Sequence, residues 1–294
     1  MFLKIIKILF LIIIPTILYA EEANKKTIVS KLTDPITNTF QSLTSFDGIK
    51  KAELEIDTKD TDFQPDIRAS IVSSLSESDD KKTFWLNQLN LSNQDDRETI
   101  NLGLMYRTLS DDNKWIRGFN IFYDHEFPYD HQRASVGIEI KSSPIEFNSN
   151  YYQRLSGDKT IGSTTERAMD GMDAEIGFQV PYMPSSKLFF KGYEWDGADY
   201  DVKSGNKISL RIRPTQNLEI ELGADDNDQR SDYRATASIK FKKTFGEVKE
   251  TSNSFISDTA FEYHDMNSEI YDTVRRQNRI VKTVTGTVTV ARGT

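Results

Sequence analysis

Cysteine is absent from all 294 residues. That excludes disulfides, a thiol nucleophile and the lipid-modified cysteine of a lipoprotein anchor. Histidine occurs only as His125, His131 and His264, without a spacing that suits a metal site. There is no Gly-x-Ser-x-Gly elbow and no phosphate-cradling glycine loop. No catalytic, cofactor-binding or metal residue is therefore assigned, and no enzyme activity is expected. The adjacent Asp124-His125 has the composition of an acid–base pair, but a strand end and turn account for it better. An excess of positive charge is also missing. The net charge is −8, so nucleic acid is not an expected partner. Long apolar runs are missing after Ala20, and no transmembrane helix is predicted.

What is present begins with an export signal. Lys4 and Lys7 precede the apolar run Ile8 to Ile14, Pro15 breaks it, and Leu18-Tyr19-Ala20 leads into Glu21-Glu22. A basic start, a short apolar run and a small residue predict a signal peptide over 1–20, cleaved after Ala20. The run falls short of the roughly 20 residues that a spanning helix needs. Residues 21–47, acidic and rich in Ser and Thr, read as a periplasmic lead-in, with a short helix near Ile36 to Leu43.

From about Lys50 to Phe245 one pattern recurs: roughly ten residues of alternating apolar and polar character, then a polar turn. Ala52, Leu54 and Ile56 alternate with Glu53, Glu55 and Asp57. Ile100, Leu102, Leu104 and Tyr106 alternate with Asn101, Gly103, Met105 and Arg107, and Leu218, Ile220 and Leu222 with Glu219, Glu221 and Gly223. About twelve such strands are predicted. They lie at 48–57, 64–74, 83–91, 98–107, 115–124, 132–141, 145–153, 171–180, 186–195, 205–213, 217–225 and 231–242. Loops after Leu155 and near Gly197 are longer and are expected on one side. A sequence with 28% charged residues ordinarily reads as soluble, but a membrane barrel hides its polar residues on the inner face of each strand.

A periplasmic β-sandwich alternates in the same way. The aromatics near strand ends, Tyr106, Trp115, Tyr123, Tyr151, Tyr182, Tyr193 and Trp195, favour the girdles of a membrane barrel. Lys191, between Phe189 and Tyr193, is awkward on that outer face and is expected near an interface. Glu53, Glu139, Glu175, Arg211, Arg213, Glu219, Glu221 and Lys240 are assigned to a wet lumen.

The densest polar motifs run through Asp95-Asp96-Arg97, Asn101, Gly103, Tyr106 and Arg107. They continue through Gly118, Asn120, Tyr123 and Asp124 to His131-Gln132-Arg133 and Gly137, then Asn150-Tyr151-Tyr152 and Leu155-Ser156-Gly157. Glu166-Arg167 and Asp170-Gly171-Met172-Asp173 follow, and then Tyr193-Glu194-Trp195. In this order they resemble the translocator β-domain of the inverse autotransporters, the intimin/invasin family. Tyr271-Asp272 through Ile280-Val281 resembles the segment that follows the family's barrel. The resemblance implies an all-β, twelve-stranded outer-membrane barrel over 48–245. The segment 246–294 would re-enter the lumen and pass outward toward a secreted passenger. Phe261, Met266, Ile270 and Val274 have roughly helical spacing, so a helix or linker in the lumen is expected. Expected partners are outer-membrane lipid, the barrel-assembly and periplasmic chaperone machinery, and a separately encoded passenger. Residues 246–294 hold less than the roughly 100 residues of an immunoglobulin-like domain, and 21–47 has no room for a peptidoglycan-binding module. Three readings stay open: a translocator, a passenger-less porin-like or structural barrel, and a soluble periplasmic β protein.

Overall fold

The computed structural model describes residues 48–58, 65–94, 97–197, 202–228, 232–245 and 255–286. The predicted signal peptide, the lead-in, Asp95 and Asp96 lie outside them. Period-2 alternation becomes strand throughout. In chain order these are β1 (Ile49–Thr58), β2 (Pro65–Glu77), β3 (Thr83–Gln94), β4 (Arg97–Leu109), β5 (Ile116–Phe127), β6 (His131–Lys141) and β7 (Ile145–Arg154). Next come a small hairpin, β8 (Lys159–Ile161) and β9 (Thr164–Ala168), then β10 (Asp170–Val180) and β11 (Met183–Asp196). The last are β12 (Lys203–Thr215), β13 (Leu218–Asn227), β14 (Arg234–Thr244) and β15 (Lys282–Gly286).

Twelve strands close into one antiparallel barrel in the order β1-β14-β13-β12-β11-β10-β7-β6-β5-β4-β3-β2. Apart from the inserted hairpin, neighbours in sequence are neighbours in the wall. β1 closes on β14 through pairs from Lys51↔Thr244 to Thr58↔Ala237. Closure leaves no sheet edge, which is what a strand wall in lipid requires. Alternation then decides which side each residue faces. On β4, Leu102 is 53% exposed while Asn101 is fully buried. Phe119, Ile121, Val136, Ile138 and Ile140 are likewise exposed on the outer wall, and Trp85 packs at a tilt against Tyr106, ring centroids 4.9 Å apart.

One rim carries tight turns. Two share a motif, Ser78-Asp79-Asp80-Lys81-Lys82 and Ser110-Asp111-Asp112-Asn113-Lys114. The serine hydroxyl donates to the second aspartate, and that carboxylate accepts the amide of the last lysine at 3.1 Å in both. Lys81 and Asn113 take φ of 55° and 58°. The serine and then the amide hold Asp80 and Asp112 below the usual aspartate range. The opposite rim carries the β7–β10 connection and that after β11, so the two longer loops share a side as expected. Below, these are the turn rim and the loop rim.

β11 corrects one expectation. Tyr193 and Trp195 are not girdle residues, and Lys191 does not sit at an interface. Phe189, Lys191, Tyr193 and Trp195 form the lumen face, because Lys191 meets Asp173 at 2.9 Å and Tyr193 donates to Asp225 at 2.9 Å. Phe189 is fully buried, and Phe190, beside it in sequence, is 45% exposed on the outer wall.

Candidate functional site: the occupied lumen

The chain after β14 returns through the barrel. Residues 255–266 dock against the turn rim: Tyr182 N donates to Ala260 O at 3.0 Å, His264 N to Ser143 Oγ at 2.8 Å and Met266 N to Asn113 O at 2.8 Å. A single 3-10 turn, Asn267–Glu269, follows. Residues 270–281 then cross the lumen, and β15 pairs antiparallel with β9 from Lys282↔Ala168 to Gly286↔Thr164 at the loop rim. The helical spacing of Phe261, Met266, Ile270 and Val274 thus yields a linker with one 3-10 turn, otherwise not helical.

The lumen is not uniformly wet. Toward the turn rim, Phe84, Leu86, Met105, Ile116 and Phe122 pack around Met266, Ile270, Tyr271 and Val274 as a buried apolar cluster. Charged groups line the rest of the lumen, at the level of this cluster and on toward the loop rim, in pairs of carboxylate and cation. Asp124, fully buried, receives both Nη atoms of Arg276 at 2.9 and 2.7 Å, Arg133 at 2.8 Å and Asn101 Nδ2 at 2.8 Å. Arg107 grips Glu139, which also meets Lys141 at 2.6 Å. Arg275 forks onto Glu175 and reaches Glu221 at 3.0 Å. Asp272 pairs with Lys51 and with Arg213 at 3.2 Å. Removing one partner from such a buried pair costs about 3–5 kcal/mol, because the other charge is left without water or counter-charge.

At the loop rim Arg97 donates to Glu166 at 2.7 and 2.8 Å and to Glu126 at 2.8 Å, while Lys282 meets Glu126. His131 Nε2 lies 3.1 Å from Glu166. Glu126, His131 and Glu166 bring ligand-type atoms within 4.8 Å of one another. Arg97 and Lys282 already neutralise both carboxylates, so the geometry is that of an ion-pair latch joining wall, hairpin and linker.

The motif residues separate into groups. Arg97, Asn101, Arg107, Asp124, His131 and Arg133 converge on the lumen. Gly103, Gly118, Gly137 and Gly171 give room there: a Cβ on them would lie 2.2–2.4 Å from Phe122, Glu139, Asn150 and Trp195 side chains. Asn120 is buried beside Gly137, its amide atoms without hydrogen-bond partners. Tyr106 and Tyr123 face outward, Gln132 uses its backbone to hold Ser156, and Asp170, at the start of β10, accepts the Arg154 amide at 2.6 Å. Asp124 and His125 point to opposite sides of the wall, with His125 bonded to Tyr123 and Asp130 at 3.1 Å each, so they form no acid–base pair. Gln88, Asn90 and Glu146 carry lumen contacts that sequence reading missed; the signal was polar residues at lumen parity on strands already placed.

A closed twelve-stranded barrel threaded by its own C-terminal segment is thus in place, and residues 17–278 match the family described as Inverse autotransporter, beta-domain. The chain belongs to the inverse autotransporter β-domain family. Similar relatives are Invasin of Yersinia enterocolitica, 24% identical over 69% of this chain and 26% of its own length, and the inverse autotransporter adhesin YeeJ of Escherichia coli K12, 25% identical over 71% of this chain. Intimin of Escherichia coli O127:H6 is 24% identical over 69% of the chain and 22% of its own length. The chain therefore spans about a quarter or less of these relatives. A solved structure from a study of in-meso crystallization of membrane proteins superposes with TM-score 0.67 at 18% identity, over 81% of this chain and all of that one. This inverse autotransporter domain thus has the outer-membrane β-barrel fold expected from its alternation.

Proposed function

We propose that the chain is an outer-membrane translocator and anchor whose C-terminal segment reaches the cell surface through its own lumen. The observation that carries this is the path of residues 255–286, which enter at the turn rim and leave at the loop rim. With the turn rim in the periplasm and the loop rim outside, as short-turn and long-loop barrels are arranged, that path runs outward. A signal peptide cleaved after Ala20 and insertion by the barrel-assembly and chaperone machinery complete this reading. A passenger would be carried beyond the linker or supplied by another chain, and no catalytic role is assigned. The test uses a peptide tag placed after Thr294 and protease added to intact cells. The tag should be removed while the barrel keeps its heat-dependent gel shift. A protected tag on a correctly inserted barrel overturns the export reading and favours the passenger-less barrel.

A further inference from the structure

The linker meets two chemically different walls. Along β3, β4, β6 and β7, side chains bond its main chain. Gln88 Oε1 accepts from Val274 N at 3.0 Å, and Arg107 donates to the carbonyls of Ile270 and Asp272. Asn150 donates to Arg275 O at 3.0 Å, Arg133 to Gln277 O at 2.6 Å and Asn101 to Asn278 O at 2.9 Å. The Tyr152 hydroxyl accepts from Gln277 N at 2.7 Å while donating to Asp173. Every non-proline residue supplies the same N–H and C=O. Where the chain is extended, an advance of two residues brings main-chain groups back to the same side, so these bonds do not read sequence and do not by themselves exclude a slip of two.

The side chains of the linker are read by charged groups, several of them on the opposite wall. Arg275 reaches across to Glu175 on β10 and Glu221 on β13, Asp272 to Lys51 on β1 and Arg213 on β12, and Arg276 takes Asp124 on β5. Beside the linker on the far wall lies a cavity of about 410 Å³, which Arg275 borders along with Glu175 and Glu221. A slip of two residues would set Thr273 or Gln277 in the place of Arg275 and leave two buried carboxylates without their guanidinium.

We infer that β3, β4, β6 and β7 form a main-chain track that holds any extended polypeptide, and that the Arg275-Arg276 pair is the register lock that stops this chain at one position in the track. This rests on the export reading for its consequence, the arrest of an outward-moving segment, but its geometry is tested separately. Because the chain has no cysteine, paired cysteines report register cleanly. Asn90 and Asn278 meet at 3.2 Å. In membranes holding the full chain, Asn90→Cys with Asn278→Cys should be bridged by a short bis-methanethiosulfonate. Asn90→Cys with Ile280→Cys should be bridged less, by about tenfold. Arg275→Gln with Arg276→Gln should reduce that preference to about twofold or less. Gln277→Ser, at a position held only by its backbone, should leave it unchanged. If the double glutamine variant does not insert, Glu221→Gln must lower the preference in the same direction. A preference that survives loss of the arginines or of Glu221 overturns the lock, and one that Gln277→Ser abolishes overturns the track. A protected C-terminal tag in a chain with the expected cross-links overturns export and leaves the lock standing.

Discussion

Gly103 and Phe122 face each other across β4 and β5, and the Phe122 ring lies where a Cβ on residue 103 would stand, 2.2 Å away. The ring cannot swing aside freely, because Arg276 lies over it at 4.3 Å and the apolar cluster of the lumen packs against it. Gly103→Val should therefore destabilise the barrel by roughly 1–3 kcal/mol through overpacking. The denaturant midpoint of the heat-modifiable band measures this. Adding Phe122→Ala should cost less than the two single changes summed; full additivity would show that the ring is not the obstacle. At this scale the sequence was partly legible. Gly103, Arg107, Asp124 and Arg133 stood out as motif residues, but nothing local tells that Arg133 and Arg276 share Asp124, since they are separated by most of the fold.

Among the elements, the strands were the most legible, because period-2 alternation is written in consecutive residues and survives any change of partner. All twelve predicted segments became barrel strands, with ends shifted by a few residues. β11 misled because both of its faces carry large apolar side chains; only the pairing of Lys191 with Asp173 and of Tyr193 with Asp225 reveals which face is inward. The linker misled for a related reason. Its apolar spacing suits a helix, but the wall offers hydrogen bonds to its main chain, and a helix would keep those groups for itself. At the loop rim, β15 is held by β9. Met169 N donates to Val281 O, so alternation places Thr283 and Thr285 in the bonded pairs. Thr283→Pro removes one of those donors. It should speed amide exchange in β8–β9 while the gel shift stays unchanged. Unaltered exchange in the hairpin would mean that β15 does not support it.

For the whole molecule, the occupied lumen has an electrical consequence. The apolar cluster and the charged linker fill the turn-rim half, so in planar bilayers the full chain should give conductance steps far smaller than an empty twelve-stranded pore. Steps of open-porin size would place the linker outside the lumen and favour the porin-like reading.

Sustained alternation was enough to determine an all-β chain whose strands each carry one polar and one apolar face. Those properties are local: each strand's two faces are set by which residues follow one another. The tertiary structure alone decided what fills the barrel and how it is held. Wet lumen or packed lumen is a matter of which distant residues meet. Arg275 and Arg276 find Glu175, Glu221 and Asp124 only after the wall has closed around them.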